Sequence, residues 1–275
     1  MMMTMDAGRW LTAVRQHRPL VHNMTNLVVT NVVANALLAL GASPVMAYAH
    51  EEVQDMARIA GALALNMGTL TPDLVTGMIL AGKAAEEAHV PVVFDPVGVG
   101  ATPYRVQAAE AVVANLRLTV LKGNAGEIGG MAGAGGTVSG VDAVGVGAGL
   151  AAAMALYARK HQTVMVATGE QDFVTDGKNL WVLSNGHPLL ARITGSGCML
   201  TGVIGAFLAV ADKESGAPTF AEASAAAITC FNIAGEKAAE GAQGPGTFAA
   251  RFFDALSLLE PDEVNRMARI ERRQA

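Results

Sequence analysis

Short, uninterrupted apolar runs alternate with helical patterns over most of this chain, and that alternation limits the folds open to it. The runs are Pro44–Ala47, Ala62–Leu65, Pro91–Phe94, Leu118–Leu121 and Thr163–Ala167, set off by Gly, Pro, Asn or Asp. Between them lie helical patterns at Asn26–Leu40, Glu51–Ile59, Pro72–His89, Tyr104–Asn115 and Asp142–His161. Strands that are apolar on both faces and joined by helices predict an α/β fold, a mostly parallel central sheet with helices on both faces. Phe173–Asp176 and Leu180–Ser184, split by Gly177-Lys178-Asn179, predict a hairpin at the sheet's edge. Three helices should follow, at Cys198–Ala211, Phe220–Glu240 and Phe248–Leu259. There is no internal repeat and no linker, so residues 1–275 are expected to form a single domain. In such a fold, ligands bind outside the carboxyl ends of the strands.

The stretch Ile193-Thr194-Gly195-Ser196-Gly197-Cys198 runs into the apolar helix that begins at Cys198. Gly195, Ser196 and Gly197 are therefore expected just ahead of a helix N-terminus, where N–H groups lack acceptors and the macrodipole is positive. Glycine lets a ligand approach that backbone closely, so the segment is built as an anion hole, with Cys198 at its lip. The thiol has three readings: a nucleophile activated by the helix terminus, a packed small residue, or a group beside a substrate hydroxyl that is about to be phosphorylated. A Cys hydrolase also needs a histidine, and His22, His50, His89, His161 and His187 follow no local motif that singles one out. Cys230, inside an apolar helix, reads as core.

Other polar groups fall at the same predicted strand ends. Asp95 follows Val92-Val93-Phe94 and precedes a glycine turn, so it could hold Mg²⁺ or merely start the turn. Lys122 offers a cation for phosphate, with Glu127 one helical turn further on, and Thr168 a hydroxyl that could bind phosphate or cap a turn. Metal carboxylate, cation, hydroxyl and anion hole at one sheet edge are the inventory of phosphoryl transfer. Asn26 reads either as an N-cap or as a substrate-orienting amide, and Met46 as core or as the wall of a pocket for a flat ring. The Gly-rich segment 129–149 lacks the Lys-Ser or Lys-Thr of a P-loop and reads as a surface loop.

Composition excludes some partners. A net charge of −5 with no basic run argues against nucleic acid. The apolar stretches are interrupted by Asn, Gly and Pro or reach only about fourteen residues, too short to span a bilayer. With no basic segment near Met1 and only two cysteines, a cytoplasmic protein is expected. Charged residues are 16% of the chain, against an ordinary share of roughly 25%. So little charge suggests that part of the surface is buried between subunits.

Taken together, several blocks resemble the hydroxyethylthiazole kinase family. They are Val21-His22-Asn23-Met24-Thr25-Asn26, Gly41-Ala42-Ser43-Pro44-Val45-Met46, Asn66-Met67-Gly68-Thr69, Phe94-Asp95-Pro96-Val97-Gly98-Val99-Gly100, Lys122-Gly123-Asn124, Thr168-Gly169, Thr194-Gly195-Ser196-Gly197-Cys198 and Gly244-Pro245-Gly246-Thr247-Phe248. The resemblance implies a ribokinase-like fold and Mg²⁺- and ATP-dependent phosphorylation of 4-methyl-5-(2-hydroxyethyl)thiazole in thiamine salvage. It also implies a homotrimer with sites between subunits. Met46, Gly195 and Asn26 match substrate positions, Lys122 and Thr168 ATP positions, and Asp95 and Glu127 the acidic positions near the metal. Gly195, Ser196, Gly197 and Cys198 match the anion hole, with Cys198 next to the reacting hydroxyl. Many members carry Arg at Lys122, so positive charge is kept while the bidentate fork is lost. The rival readings are a hydroxymethylpyrimidine kinase, a Cys-dependent hydrolase and a vitamin-binding protein without turnover.

Overall fold

The computed structural model describes residues 5–133, 143–211 and 220–275, with side chains described from residue 149 onward in the second of these segments. The expected start of a helix at Asp142, and residues 134–142 of the Gly-rich 129–149 segment, lie outside them. Among the described residues nine strands join one sheet in the order β2-β1-β3-β4-β5-β6-β7-β8-β9. The first six are β1 (Leu20–Met24), β2 (Ser43–Val45), β3 (Ala62–Asn66), β4 (Val92–Asp95), β5 (Val120–Asn124) and β6 (Val164–Thr168), all parallel. Three antiparallel strands complete the edge: β7 (Asp172–Thr175), β8 (Asn179–Leu183) and β9 (Ile270–Gln274).

Alternation along the strands sorts side chains into two cores. Leu63 and Leu65, Val92 and Phe94, and Met165 and Ala167 face one side. There they meet α3 (Val53–Ile59), α4 (Pro72–Glu87), α5 (Pro103–Asn115), α6 (Ala125–Met131) and α7 (Ala143–His161). Ala64, Val93, Val164 and Val166 face the other side, toward α1 (Ala7–His17), α2 (Thr30–Leu40), α8 (Ser196–Ala211), α9 (Phe220–Ala239) and α10 (Pro245–Leu258). A short α11 (Pro261–Met267) leads into β9. The expected α/β class holds. Among the described residues no helix is long and apolar enough to cross a membrane.

Several expected boundaries shift, each for a physical reason. The segment read as a lead-in to a helix at Asn26 is strand β1, disguised by the buried polar residues His22 and Asn23. Helix α2 starts only at Thr30, and its N-cap is Val29 without a side-chain bond, so Asn26 caps nothing. Strand β5 runs to Asn124 rather than stopping at Leu121, which places Lys122 inside the strand. Helix α8 begins at Ser196, so Ser196 and Gly197 belong to its first turn. Strand β9 went unread because Glu271, Arg272 and Arg273 dominate its composition.

Helix α8 lies close on the sheet because two of its glycines remove side chains there. A Cβ at Gly205 would come to 3.1 Å from Val21 Cγ1, and one at Gly202 to 3.0 Å from Asn23 Oδ1. This approach sets the helix N-terminus over the ends of β4 and β5. Gly205→Leu should therefore overpack the helix–sheet face and cost about 1–3 kcal/mol. Urea unfolding checks it; an unchanged midpoint would mean α8 has more room than these distances allow.

Candidate active site

The chain passes from β1 to β2 on one side, then returns to β3 on the other, so the strand order reverses at the β1/β3 crevice. Such switch points are where doubly wound folds bind ligands. Asn26 follows β1 and Asn66 ends β3, and both are buried. Asn26 Nδ2 donates to Asn66 Oδ1 at 2.9 Å and to Cys198 Sγ at 3.4 Å. The Asn26 Oδ1 atom accepts from Val28 N–H at 3.2 Å, shaping the turn that follows the strand. A Cβ on Gly68 would lie 2.5 Å from Asn26 Nδ2, so glycine is needed there for the two loops to meet.

Asp95 is the centre of the arrangement. Its Oδ2 accepts from Lys122 Nζ at 3.0 Å, Asn66 Nδ2 at 3.1 Å and Thr201 Oγ1 at 2.6 Å. Lys122 Nζ also donates to Gly197 O, in the first turn of α8, at 2.9 Å. The Lys122 and Asp95 side chains are 3% and 2% exposed, so this is a buried ion pair whose charges compensate each other. The cation and carboxylate expected at Lys122 and Glu127 do not pair with each other. Two of Lys122's three Nζ hydrogens are committed, to Asp95 and to Gly197 O.

Glu127 has a different local task. Its Oε2 accepts from Asn124 N–H at 2.8 Å while Asn124 Oδ1 accepts from Glu127 N–H at 2.9 Å, a complete capping box at the start of α6. Oε1 accepts from Gly98 N–H at 2.7 Å, tying the turn after Asp95 to this helix. Thr168 Oγ1 donates to Gly123 O at 3.3 Å, across the paired ends of β5 and β6. Met46 follows β2, half-buried, and the next residue is anchored by a 2.8 Å bond between His22 Nε2 and Ala47 O. Burial lowers the His22 pKa, so its ring is neutral at pH 7 and donates to that carbonyl.

Gly195, Ser196, Gly197 and Cys198 come together at the N-terminus of α8. Gly195 has φ +85°, and a Cβ there would come within 2.6 Å of Val29 Cγ1, which excludes other residues. Met199 N–H reaches back to Gly195 O at 2.7 Å, leaving the N–H groups of Ser196, Gly197 and Cys198 at the open end of the helix. The Cys198 thiol behaves differently from the activated-nucleophile reading. Burial pushes its pKa up, as does the Asp95 charge, and Lys122, Asn66 and Asn26 offset this only partly. Its side-chain partner is Asn26, and among the described residues no histidine bonds to it. His22 bonds to Ala47 O, His50 to Asp73 O and His187 to Leu189 N–H. Cys230 is fully buried, its thiol pushed up to about 12 by burial, in keeping with a core residue.

Three contributors were not singled out in the sequence. Asn66 and Thr201 complete the shell around Asp95, and the Arg105 guanidinium pins two loops. It donates to Val97 O at 2.6 Å, Met67 O at 3.0 Å and Gly68 O at 2.8 Å. A polar residue one place beyond an apolar run was the available signal for Asn66. Thr201 sits inside the apolar α8 and carried none.

The ion pair also changes what a charge substitution should do. Asp95→Asn and Lys122→Met each strand a buried partner and should destabilise the fold by roughly 3–5 kcal/mol. The double variant should recover part of that loss. Chemical denaturation of the three proteins checks it, and single variants as stable as wild type would mean the pair is solvated.

The Hydroxyethylthiazole kinase family model matches residues 11–262 of the chain. A hydroxyethylthiazole kinase of Moorella thermoacetica is 50% identical over 257 residues, 94% of either chain. The solved structure of a hydroxyethylthiazole kinase protein from Pyrococcus horikoshii aligns with a TM-score of 0.87 at 39% identity, covering 97% of this chain and 98% of that one. A ribokinase-like superfamily protein of Enterococcus faecalis aligns at a TM-score of 0.58 and 14% identity over 86% of each chain, a likeness of fold.

Proposed function

The chain belongs to the hydroxyethylthiazole kinase family, and from that premise we propose how its site works as one ribokinase-like kinase domain. It transfers the γ-phosphoryl group of ATP to the hydroxyl of 4-methyl-5-(2-hydroxyethyl)thiazole in thiamine salvage. The observation that carries this reading is the buried junction of Asp95, Lys122 and Gly197 at the N-terminus of α8, with Cys198 beside it. The free N–H groups of Ser196, Gly197 and Cys198 receive the transferred group's oxygens and stabilise charge that builds there. Lys122 holds that turn in place and adds a fixed positive charge. Met46, Gly195 and Asn26 line the thiazole side, and Thr168 contacts the nucleotide.

The transfer breaks the bond between the γ-phosphorus and the bridging oxygen of ADP and forms one to the alcohol oxygen. In a loose transition state the hydroxyl gives up its proton late, to an oxygen of the transferred phosphoryl group and from there to water, so a strong base is not required. A neutral thiol at Cys198, oriented by the Asn26 amide, suits this: it positions the hydroxyl without competing as a nucleophile. Asp95 and Glu127 fit Mg²⁺ held partly through water, since Asp95 Oδ1 receives no hydrogen bond from the described residues and Mg²⁺ keeps several waters. The metal would neutralise charge on the phosphates. Glu127, whose two oxygens each hold a backbone N–H, would reach it through water.

Assembly follows from what surrounds Asn26. Leu27 and Val28 are 76% and 72% exposed, beside a binding crevice, and Leu38 on α2 is 60% exposed. A neighbouring subunit that covers them would close the thiazole site, which supports a homotrimer with sites between subunits. The free thiols fit a reducing cytoplasm.

A coupled assay for ADP release should show turnover with the thiazole alcohol and Mg·ATP; turnover with a hydroxymethylpyrimidine alone would assign the rival kinase activity. Cys198→Ala should lower kcat about tenfold or more with little change in either KM, because only transition-state contact is lost. Cys198→Asp should stay active, as Lys122 and the helix terminus accept the charge. If both variants are folded and equally inactive, sulfur itself is required. Sedimentation should give a trimer, and an active monomer would contradict the shared site.

A further inference from the structure

A second buried carboxylate lies one strand beyond Thr168, and among the described residues no cation is bonded to it. Asp172, at the start of β7, is 4% exposed. Its Oδ1 accepts from Gly169 N–H at 3.0 Å and its Oδ2 from Asn232 Nδ2 on α9 at 2.6 Å. Asn232 Nδ2 also donates to Asn185 O at 2.8 Å, so both of its hydrogens are committed and the amide cannot flip. One helical turn on, Glu236 accepts from Gly186 N–H and Asn185 Nδ2, and from Arg269. One face of α9 thus fixes both the turn after Thr168 and the segment that leads toward the anion hole.

We propose that Asp172 is a positioning residue for the nucleotide: clamped by Asn232, its carboxylate holds Gly169 N–H and so fixes the turn that presents Thr168 to ATP. This rests on the assignment of Thr168 to the nucleotide made above. Thr168 closes β6 against Asn124 of β5, and beyond that pairing its side chain makes, among the described residues, only the 3.3 Å bond to Gly123 O. Keeping a carboxylate in this place is costly. Burial pushes the Asp172 pKa up to about 6, against the hydrogen bonds from Gly169 and Asn232 and the charge of Lys122 on β5. Glu236 on α9 is occupied by its own partners, and Glu170 in the turn is exposed. A carboxylate buried at such cost, with its two oxygens held by Gly169 N–H and Asn232, is explained by function more readily than by stability.

Ionised, Asp172 accepts from both neighbours. Protonated, or replaced by Asn, it must present a hydrogen to one of two donors, and the turn is released. Binding of Mg·AMP-PNP, followed by calorimetry, tests this. Asp172→Asn and Asn232→Leu should each raise its Kd by roughly ten- to 150-fold, the range expected for hydrogen bonds to a charged group. KM for the thiazole alcohol should stay within about twofold of wild type. Arg269→Gln, which loosens the Glu236 end of the same face, should lower Tm without moving the Kd. Between about pH 8 and pH 5 the Kd gap between wild type and Asp172→Asn should close, because wild type gains the proton that Asn mimics. Should Asp172→Asn fail to fold, Asn232→Leu decides. Folded variants with wild-type Kd, or a gap independent of pH, would overturn the proposal alone. Wild type that binds no AMP-PNP would overturn the kinase reading with it.

Discussion

The buried pair of Lys122 and Asp95 is the constraint on which the rest of the site depends. It joins the ends of two parallel strands to the first turn of α8, because Lys122 reaches Gly197 O while Thr201 returns from the helix to Asp95. Without the pair, the sheet would end in an isolated charge, and the helix terminus would have no fixed height above it. A buried pair contributes little net stability, since desolvation offsets the attraction. What it provides is geometry: an electropositive helix end held at a set place over a carboxylate. Reactions that develop charge on a phosphoryl group need that preorganisation more than they need a reactive side chain.

The same economy explains the thiol. In another setting a cysteine at a helix terminus would be an activated nucleophile. Here burial and Asp95 keep it protonated, and its side-chain hydrogen bond comes from an amide. On the proposed reading, a protonated thiol leaves the incoming alcohol to act as the nucleophile. Around this centre, other side chains set loop positions: Arg105 through three carbonyls, Glu127 through a capping box and Gly98, and Asp172 through Gly169.

Much of this was legible in the residues. Apolar runs ended by Asp95, and a glycine cluster leading into an apolar helix, give the α/β class and place Asp95 and the start of α8 at one edge of the sheet. What was hidden shares a cause: polar residues doing structural work inside elements. His22 and Asn23 masked β1, and Thr201 lay within a helix too apolar to draw notice. Asn124-Ala125-Gly126-Glu127 is also the spacing of a capping box, a second task for Glu127 that the structure shows. Lys122 was expected in a loop facing ATP, and is instead in a strand with most of its donors already used. Side-chain partners 27 to 106 residues apart, such as Asp95 with Lys122 and with Thr201, exist only once the sheet is assembled.

The central claim is that the α8 anion hole carries a phosphoryl group directly from ATP to an alcohol oriented beside Cys198. Phosphorus NMR of the enzyme with Mg·ATP and hydroxyethylthiazole tests it most directly. The account predicts that the γ-phosphate signal is replaced by one phosphomonoester resonance, coupled to the methylene protons of the hydroxyethyl group, with no phosphoprotein signal at any stage. Phosphate trapped on Cys198, or released only as inorganic phosphate, would contradict it.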